Sequence, residues 1–148
     1  MGALAKVCSG FFVSILCLSA VGDDFLDTVD EIGQRAASGD QNAIVELVGL
    51  YPTDSAAVIE FMRTYLAIAM EKSPVAVLRV IGQHEYFGDC DFVSVTGEEF
   101  VDRFAEQRVL LLERREMLRQ IEEPELANLR DRCIVKLDAT IEALAGVL

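Results

Sequence analysis

The sequence predicts an all-α protein of about six helices, with two stacked helix pairs closed by a long C-terminal helical hairpin. Apolar residues recur at helical spacing along most of the chain, N-cap residues precede these stretches, and one segment has an internal repeat. Of the 148 residues, 52% are apolar, which allows one domain with a hydrophobic core. The only short strand alternative is Phe92–Val95.

The N-terminal segment 1–22 predicts a signal peptide. Lys6 precedes the uncharged apolar stretch Val7–Val21, and the small residues Ala20 and Gly22 stand before Asp23. This stretch is shorter than the roughly 20 residues that span a bilayer, so we expect cleavage between Gly22 and Asp23. An uncleaved N-terminal anchor is the alternative. The predicted organisation is a signal peptide over 1–22 and one helical domain over 23–148, exported to the periplasm or secreted and free of the membrane after processing.

The first half of the domain predicts two helix pairs, over residues 24–51 and 57–84. Gly39–Asp40 ends one helix and caps the next within the first pair, and Ser73–Pro74 provides a cap and a first-turn proline within the second. Both pairs carry apolar residues at helical spacing. The residues expected in the core are Val45, Leu47, Val58, Phe61, Met62, Leu78 and Ile81.

The two pairs resemble each other in sequence. Residues 43–49 align with 76–82, small residues on small ones and aliphatic on aliphatic, and the preceding helices keep the same register. Repeated helix pairs bury their apolar faces by stacking, which predicts an α-solenoid-like arrangement. Chance similarity between two amphipathic helix pairs is the alternative. The signatures of tetratricopeptide and ankyrin repeats are missing from the sequence.

The second half predicts a helical hairpin over 96–146. Thr96 and Glu99 form a capping box, after which a helix is expected to run to about Glu122. Pro124 then starts the last helix.

Two cysteines remain after processing, Cys90 and Cys133. Cys133 shares a helical stripe with Leu129 and Leu137, which places it on the predicted buried face. In an oxidising compartment two cysteines most simply form one disulfide, so we predict a Cys90–Cys133 bond. A reactive or metal-binding thiol is the alternative.

The residue content argues against an enzyme. His84 is the single histidine, and no nucleophile elbow, P-loop, dinucleotide motif or EF-hand loop is present. The cluster of His84, Glu85, Asp89, Cys90 and Asp91 lacks the spacing of known zinc sites. We therefore predict no catalytic residue, no metal ligand and no cofactor, and keep a metal carrier or enzyme centred on His84 as an alternative.

The charge of the chain is strongly acidic and uneven. The net charge is −12; residues 23–100 hold 15 acids and 4 bases, whereas residues 101–148 hold 10 acids and 8 bases. This charge argues against a nucleic-acid partner. It is typical of a solubilising surface, and a face that attracts a basic protein is the alternative.

The loop from His84 to Val95 is the predicted contact surface. It places three aromatic residues among acidic ones, and non-periodic loops of this length are often functional. An alternative is that its aromatics close the end of the helical stack. The candidate partner-binding residues are Tyr86, Phe87, Asp89, Asp91 and Phe92.

These features predict a protein-binding module that acts outside the cytoplasm on a partner with a basic surface. An inhibitor or immunity protein against a basic, envelope-directed partner has these properties. A structural or adaptor subunit of an envelope assembly, without chemistry of its own, is the alternative. The sequence favours neither a monomer nor an oligomer.

Overall fold

The computed structural model describes residues 25–97, 100 and 102–147, and these residues contain helices and turns with no strand. The all-α prediction is confirmed for this part of the chain. The predicted signal peptide and its cleavage between Gly22 and Asp23 lie outside the described residues. The helices are α1 (25–37), α2 (Gln41–Gly49), α3 (Ala56–Lys72), α4 (Pro74–Ile81), α5 (Phe104–Arg119) and α6 (Ala127–Ala145), with 3₁₀ turns at Glu85–Phe87, Asp91–Ser94 and Pro124–Leu126.

The junction between α1 and α2 forms at the predicted glycine and aspartate. Gly39 adopts a φ of +98°, a left-handed conformation that glycine tolerates without steric cost, and it ends α1. The Asp40 carboxylate accepts hydrogen bonds from the backbone amides of Asn42 (2.9 Å) and Ala43 (3.2 Å), which caps α2. The Ala43 amide, and then Arg35, hold the pKa of Asp40 below its ordinary value.

The helices pack around one apolar core. α2, α3 and α4 contact one another, and α5 packs along α6. The α5–α6 hairpin is antiparallel, because Arg130 donates to the Ile121 carbonyl (2.6 Å) near the turn and Arg115 pairs with Asp138 (2.7 Å) further along. The 3₁₀ turn at Asp91–Ser94, which replaces the strand alternative, lies between α3 and α6.

The hairpin is shorter than predicted. α5 begins at Phe104, not at Thr96, and it ends at Arg119 rather than near Glu122. The Thr96 hydroxyl accepts a hydrogen bond from the Gln107 side chain of α5 (2.7 Å). Glu99, the other predicted member of the capping box, lies outside the described residues.

Two residues predicted to be buried are exposed. Leu47, Val58, Met62, Leu78 and Ile81 are buried as expected, but Val45 is 55% exposed and Phe61 is 38% exposed. Val45 lies beside the core stripe of α2, on a side of the helix that faces solvent. Phe61 lies beside the core stripe of α3, so the apolar surface of that helix is wider than its buried part.

α1 and α3 approach closely at Gly33. A Cβ atom at this position would lie 2.0 Å from Cδ2 of Tyr65, so the tyrosine ring packs directly on the glycine backbone. The Tyr65 hydroxyl donates a hydrogen bond to Asp30 on α1. Burial, and then this hydrogen bond, raise the pKa of Tyr65 to about 12, so the phenol is neutral at physiological pH.

Replacing Gly33 with alanine should destabilise the protein. The new methyl group must displace the Tyr65 ring, and overpacking of this kind costs about 1–3 kcal/mol. Urea unfolding followed by circular dichroism measures the effect. Gly49→Ala is the matched control, because its Cβ meets no atom within 4 Å and alanine favours a helix. Equal stability of the two variants would contradict the close approach.

Candidate protein-binding site

The loop between α4 and α5 is fixed to the C-terminal helix by a disulfide. Cys90 joins the two 3₁₀ turns of the loop in a left-handed conformation with a φ of +60°. Its sulfur lies 1.98 Å from that of Cys133 on α6, and both residues are fully buried. The structure therefore places the two cysteines in the predicted pair, and the Cys90 sulfur is bonded and not free to act as a thiol.

Two of the three candidate aromatic residues are in the core. Phe87 is 5% exposed and Phe92 is 1% exposed. Both rings therefore face the core, whereas the prediction that they act as anchors for a partner needs them to be exposed. These two rings close the core at this end of the molecule, which was the alternative role for the loop.

Tyr86 is the candidate aromatic that faces solvent. It is 47% exposed and stacks on Tyr51, with ring centroids 3.5 Å apart and an angle of 25° between the ring planes. Tyr51 in turn meets the edge of the buried Phe87 ring at 5.8 Å. Burial, and then hydrogen bonding of the Tyr51 hydroxyl to Tyr86, raise the pKa of Tyr51 to about 12, so Tyr51 is uncharged at physiological pH.

Tyr51 was not predicted from the sequence. It belongs to the connection between α2 and α3, far along the chain from Tyr86, and nothing in its local pattern links the two residues. One local signal could have identified Tyr51 as a candidate site residue. It stands just before Pro52, where the chain leaves α2, so a large aromatic side chain lies beside a turn.

The acidic residues of the loop divide into two groups. Asp91 forms an ion pair with Lys136 on α6, and this contact lowers the pKa of Asp91. Asp91 therefore joins the loop to α6, which gives this predicted contact residue a structural role. Glu85 and Asp89 are exposed, and neither belongs to an ion pair within the described ranges.

Tyr51 and the loop residues Glu85, Tyr86 and Asp89 define a candidate surface that we call the acidic–tyrosine surface. Asp54 belongs to it as well, because its charge lies close enough to Tyr51 to raise the pKa of that phenol. A stacked pair of tyrosine rings with acidic residues in the same loop is suited to a lysine or arginine side chain, through cation–π contact and charge attraction. The surface consists of Tyr51, Asp54, Glu85, Tyr86 and Asp89.

The described residues contain no group of three or more His, Cys, Asp or Glu side chains placed to hold a metal ion. In the same part of the chain, no helix combines the length and the apolar character needed to cross a membrane.

Comparison with protein-family models, with curated proteins and with solved structures found no match for this chain.

Proposed function

We propose that this chain is an exported protein-binding module that recognises the basic surface of another protein. The observation that carries the proposal is the stack of the exposed Tyr86 ring on the half-buried Tyr51, with two acids of the same loop, Glu85 and Asp89, that have no ion pair among the described residues. Exposed aromatic groups flanked by such carboxylates favour arginine and lysine side chains. An inhibitor or immunity protein against a basic, envelope-directed partner is the specific role that fits.

The overall charge supports the same partner. With 15 acids and 4 bases over residues 23–100, the first half of the domain produces a strong negative field. Such a field raises the rate of encounter with a cationic protein and repels nucleic acid. Affinity then depends on groups that lose water at the contact, for which Tyr86 is the best placed aromatic.

Export is supported by two independent features. The segment 1–22 has the charge, the apolar stretch and the small residues of a signal peptide. The second feature is the buried Cys90–Cys133 pair, because stable disulfides are typical of oxidising compartments.

We further propose that α1–α2 and α3–α4 are two copies of one helical repeat. The offset in residue number that aligns 43–49 with 76–82 also aligns α1 (25–37) with residues 58–70 of α3. The same offset aligns α2 (Gln41–Gly49) with a segment that contains α4. Five pairs of equivalent residues are buried in both copies, whereas Val45 is exposed and its equivalent Leu78 is buried. The buried equivalents are Val29 and Met62, Ala36 and Ala69, Ala43 and Ala76, Ile44 and Val77, and Val48 and Ile81. A stacked repeat of this kind also fits the alternative function, a structural or adaptor subunit of an envelope assembly.

The proposal predicts which residues control binding. The exported chain is purified, and its mass shows whether it was cleaved after Gly22. The protein is then immobilised to capture basic proteins from its own cell envelope, and the binding kinetics of each captured protein are measured individually. Tyr86→Ala should raise the off-rate about tenfold, because it removes a contact that loses water on binding. The double variant Glu85→Gln/Asp89→Asn should mainly lower the on-rate and its dependence on salt.

Matched variants separate this surface from general effects. Phe104→Ala removes another exposed aromatic ring, and Glu113→Gln/Glu142→Gln removes the same number of charges from exposed positions on α5 and α6. These controls should bind like the wild type. If the controls and the loop variants bind the envelope partner equally, the loop is only a structural joint. If no basic protein is captured, the proposed function is wrong.

A further inference from the structure

α3 carries two apolar stripes, of which only one is buried. Val58, Met62 and Leu66 belong to the stripe that faces the core. Phe61 and Ile68 are seven residues apart on another side of the same helix, and each is 38% exposed. A helix with one partner needs a single apolar stripe, so the second stripe is suited to a second partner.

The exposed stripe forms one wall of a groove with a volume of about 650 Å³. Phe61, Thr64, Tyr65 and Ile68 line it from α3, and the segment Thr96–Gly97 lines it from the other side. The Phe61 and Tyr65 rings lie nearly parallel, with centroids 6.3 Å apart and an interplanar angle of 13°. We call this feature the α3 groove.

The size of the α3 groove matches a short helix. Its lining on α3 extends from Ala57 to Ile68, which at 1.5 Å per residue is about 16 Å, or three helical turns. An amphipathic helix of that length presents apolar side chains at positions i, i+4 and i+7 on one face. Such a face can cover Phe61 and Ile68 together.

The charge around the α3 groove favours a partner with basic residues. Glu60 is the charged residue that lines it, and Glu60 has no ion pair within the described part of the chain. Nearby Asp30 accepts a hydrogen bond from Tyr65 at the α1 side. A second copy of this chain would bring another net charge of −12 to this acidic rim, so like-charge repulsion disfavours self-association.

We infer that the α3 groove binds an amphipathic helix of a basic protein partner. Apolar side chains of that helix cover Phe61 and Ile68, and a lysine or arginine at its edge faces Glu60. The inference rests on the proposed function, because both require a basic protein partner. It adds a second contact region and states the secondary structure that the partner presents there.

A designed peptide tests the α3 groove directly. The probe is an 18-residue helix of about 3.6 residues per turn, with leucine along one face and lysine elsewhere. A peptide of equal composition with the leucines scattered controls for charge, and a leucine–glutamate peptide controls for the apolar face. Binding to the protein produced from the full 148-residue sequence is measured by fluorescence anisotropy.

The expected result is tight binding of the one-faced lysine peptide alone. Phe61→Ser/Ile68→Ser should weaken this binding at least about tenfold, because it removes both apolar anchors. Val109→Ser/Val135→Ser makes the same kind of change at two exposed valines outside the groove and should leave binding unchanged. Circular dichroism confirms that each variant is folded.

Several outcomes would overturn the inference. Equal binding of the scattered peptide, or no effect of Phe61→Ser/Ile68→Ser, would show that charge alone attracts the probe. A wild-type dimer that this variant separates in sedimentation would assign the groove to a second copy. Peptide binding that appears only when residues 1–24 are removed would assign it to the chain's own N-terminal segment. Tyr86→Ala, measured in parallel with the envelope partner, shows whether the proposed function holds independently of the groove.

Discussion

Replacing Arg114 with methionine should lower the free energy of unfolding by about 3–5 kcal/mol, the largest effect we expect from one substitution. Arg114 on α5 is 1% exposed. Its guanidinium donates to the carbonyls of Val93 (2.6 Å) and Val95 (2.9 Å) and forms an ion pair with Glu71 on α3 (2.8 Å). Methionine keeps much of the side-chain volume but leaves the buried Val93 carbonyl and the partly buried Val95 and Glu71 oxygens without this donor, and unpaired polar groups in such places are costly.

A second arginine of the same helix provides the control. Arg119 pairs with Glu116 at 3.6 Å, and both side chains are largely exposed, so Arg119→Met should change stability by less than about 1 kcal/mol. Urea unfolding at neutral pH measures both variants. Equal stability of the two would show that Arg114 does not join α3, α5 and the loop. Arg114→Lys should lie between them, because one ammonium cannot reproduce the planar fork of the guanidinium.

Loss of the Cys90–Cys133 disulfide should have the second largest effect. The bond closes a loop of 43 residues, for which the chain-entropy model gives a stabilisation of at most about 4 kcal/mol. It also holds Phe87 and Phe92 in the core, so its loss loosens the loop that carries Tyr86. We therefore expect the reduced protein to unfold at lower urea concentration, and Cys90→Ala/Cys133→Ala to unfold near the reduced wild type.

A thiol assay tests the bond before any variant is made. Exported protein, denatured without a reducing agent, should have no reactive thiol at Cys90 or Cys133. Two reactive thiols would refute the disulfide and would remove one of the two arguments for export. Reduction of the double alanine variant controls for side effects of the reducing agent and should leave its stability unchanged.

Much of the helical architecture was predictable because helical signals are local. Asp40 caps α2 as expected, and Gly39 ends α1 in a left-handed conformation. The predicted start of the long helix at Thr96 is wrong, because α5 begins at Phe104, and the Thr96 hydroxyl accepts a hydrogen bond from the Gln107 side chain. A capping residue can be identified from its neighbours in sequence, whereas a competing partner on a separate element is brought to it only by folding.

The candidate site was predicted in part. The loop around Cys90 was expected to carry the candidate site. Cys90 was also expected to pair with Cys133, and the two residues are paired in the structure. Phe87 and Phe92 were treated as equivalent to Tyr86, because composition does not tell which way a ring in an irregular loop turns. Tyr51 was missed because its stacking partner comes from a distant part of the chain.

The local and whole-chain signals in the sequence were sufficient to predict the helical class, the junction at Gly39–Asp40, the acidic charge and the cysteine pair. These follow from periodicity, capping and composition, each of which acts within a few residues or over the whole chain. Which apolar faces are covered depends instead on how the helices pack. Phe61 shows the reason: its position on an apolar stripe of α3 is local, but its exposure depends on whether another helix lies against that stripe, and none of the described helices covers it fully.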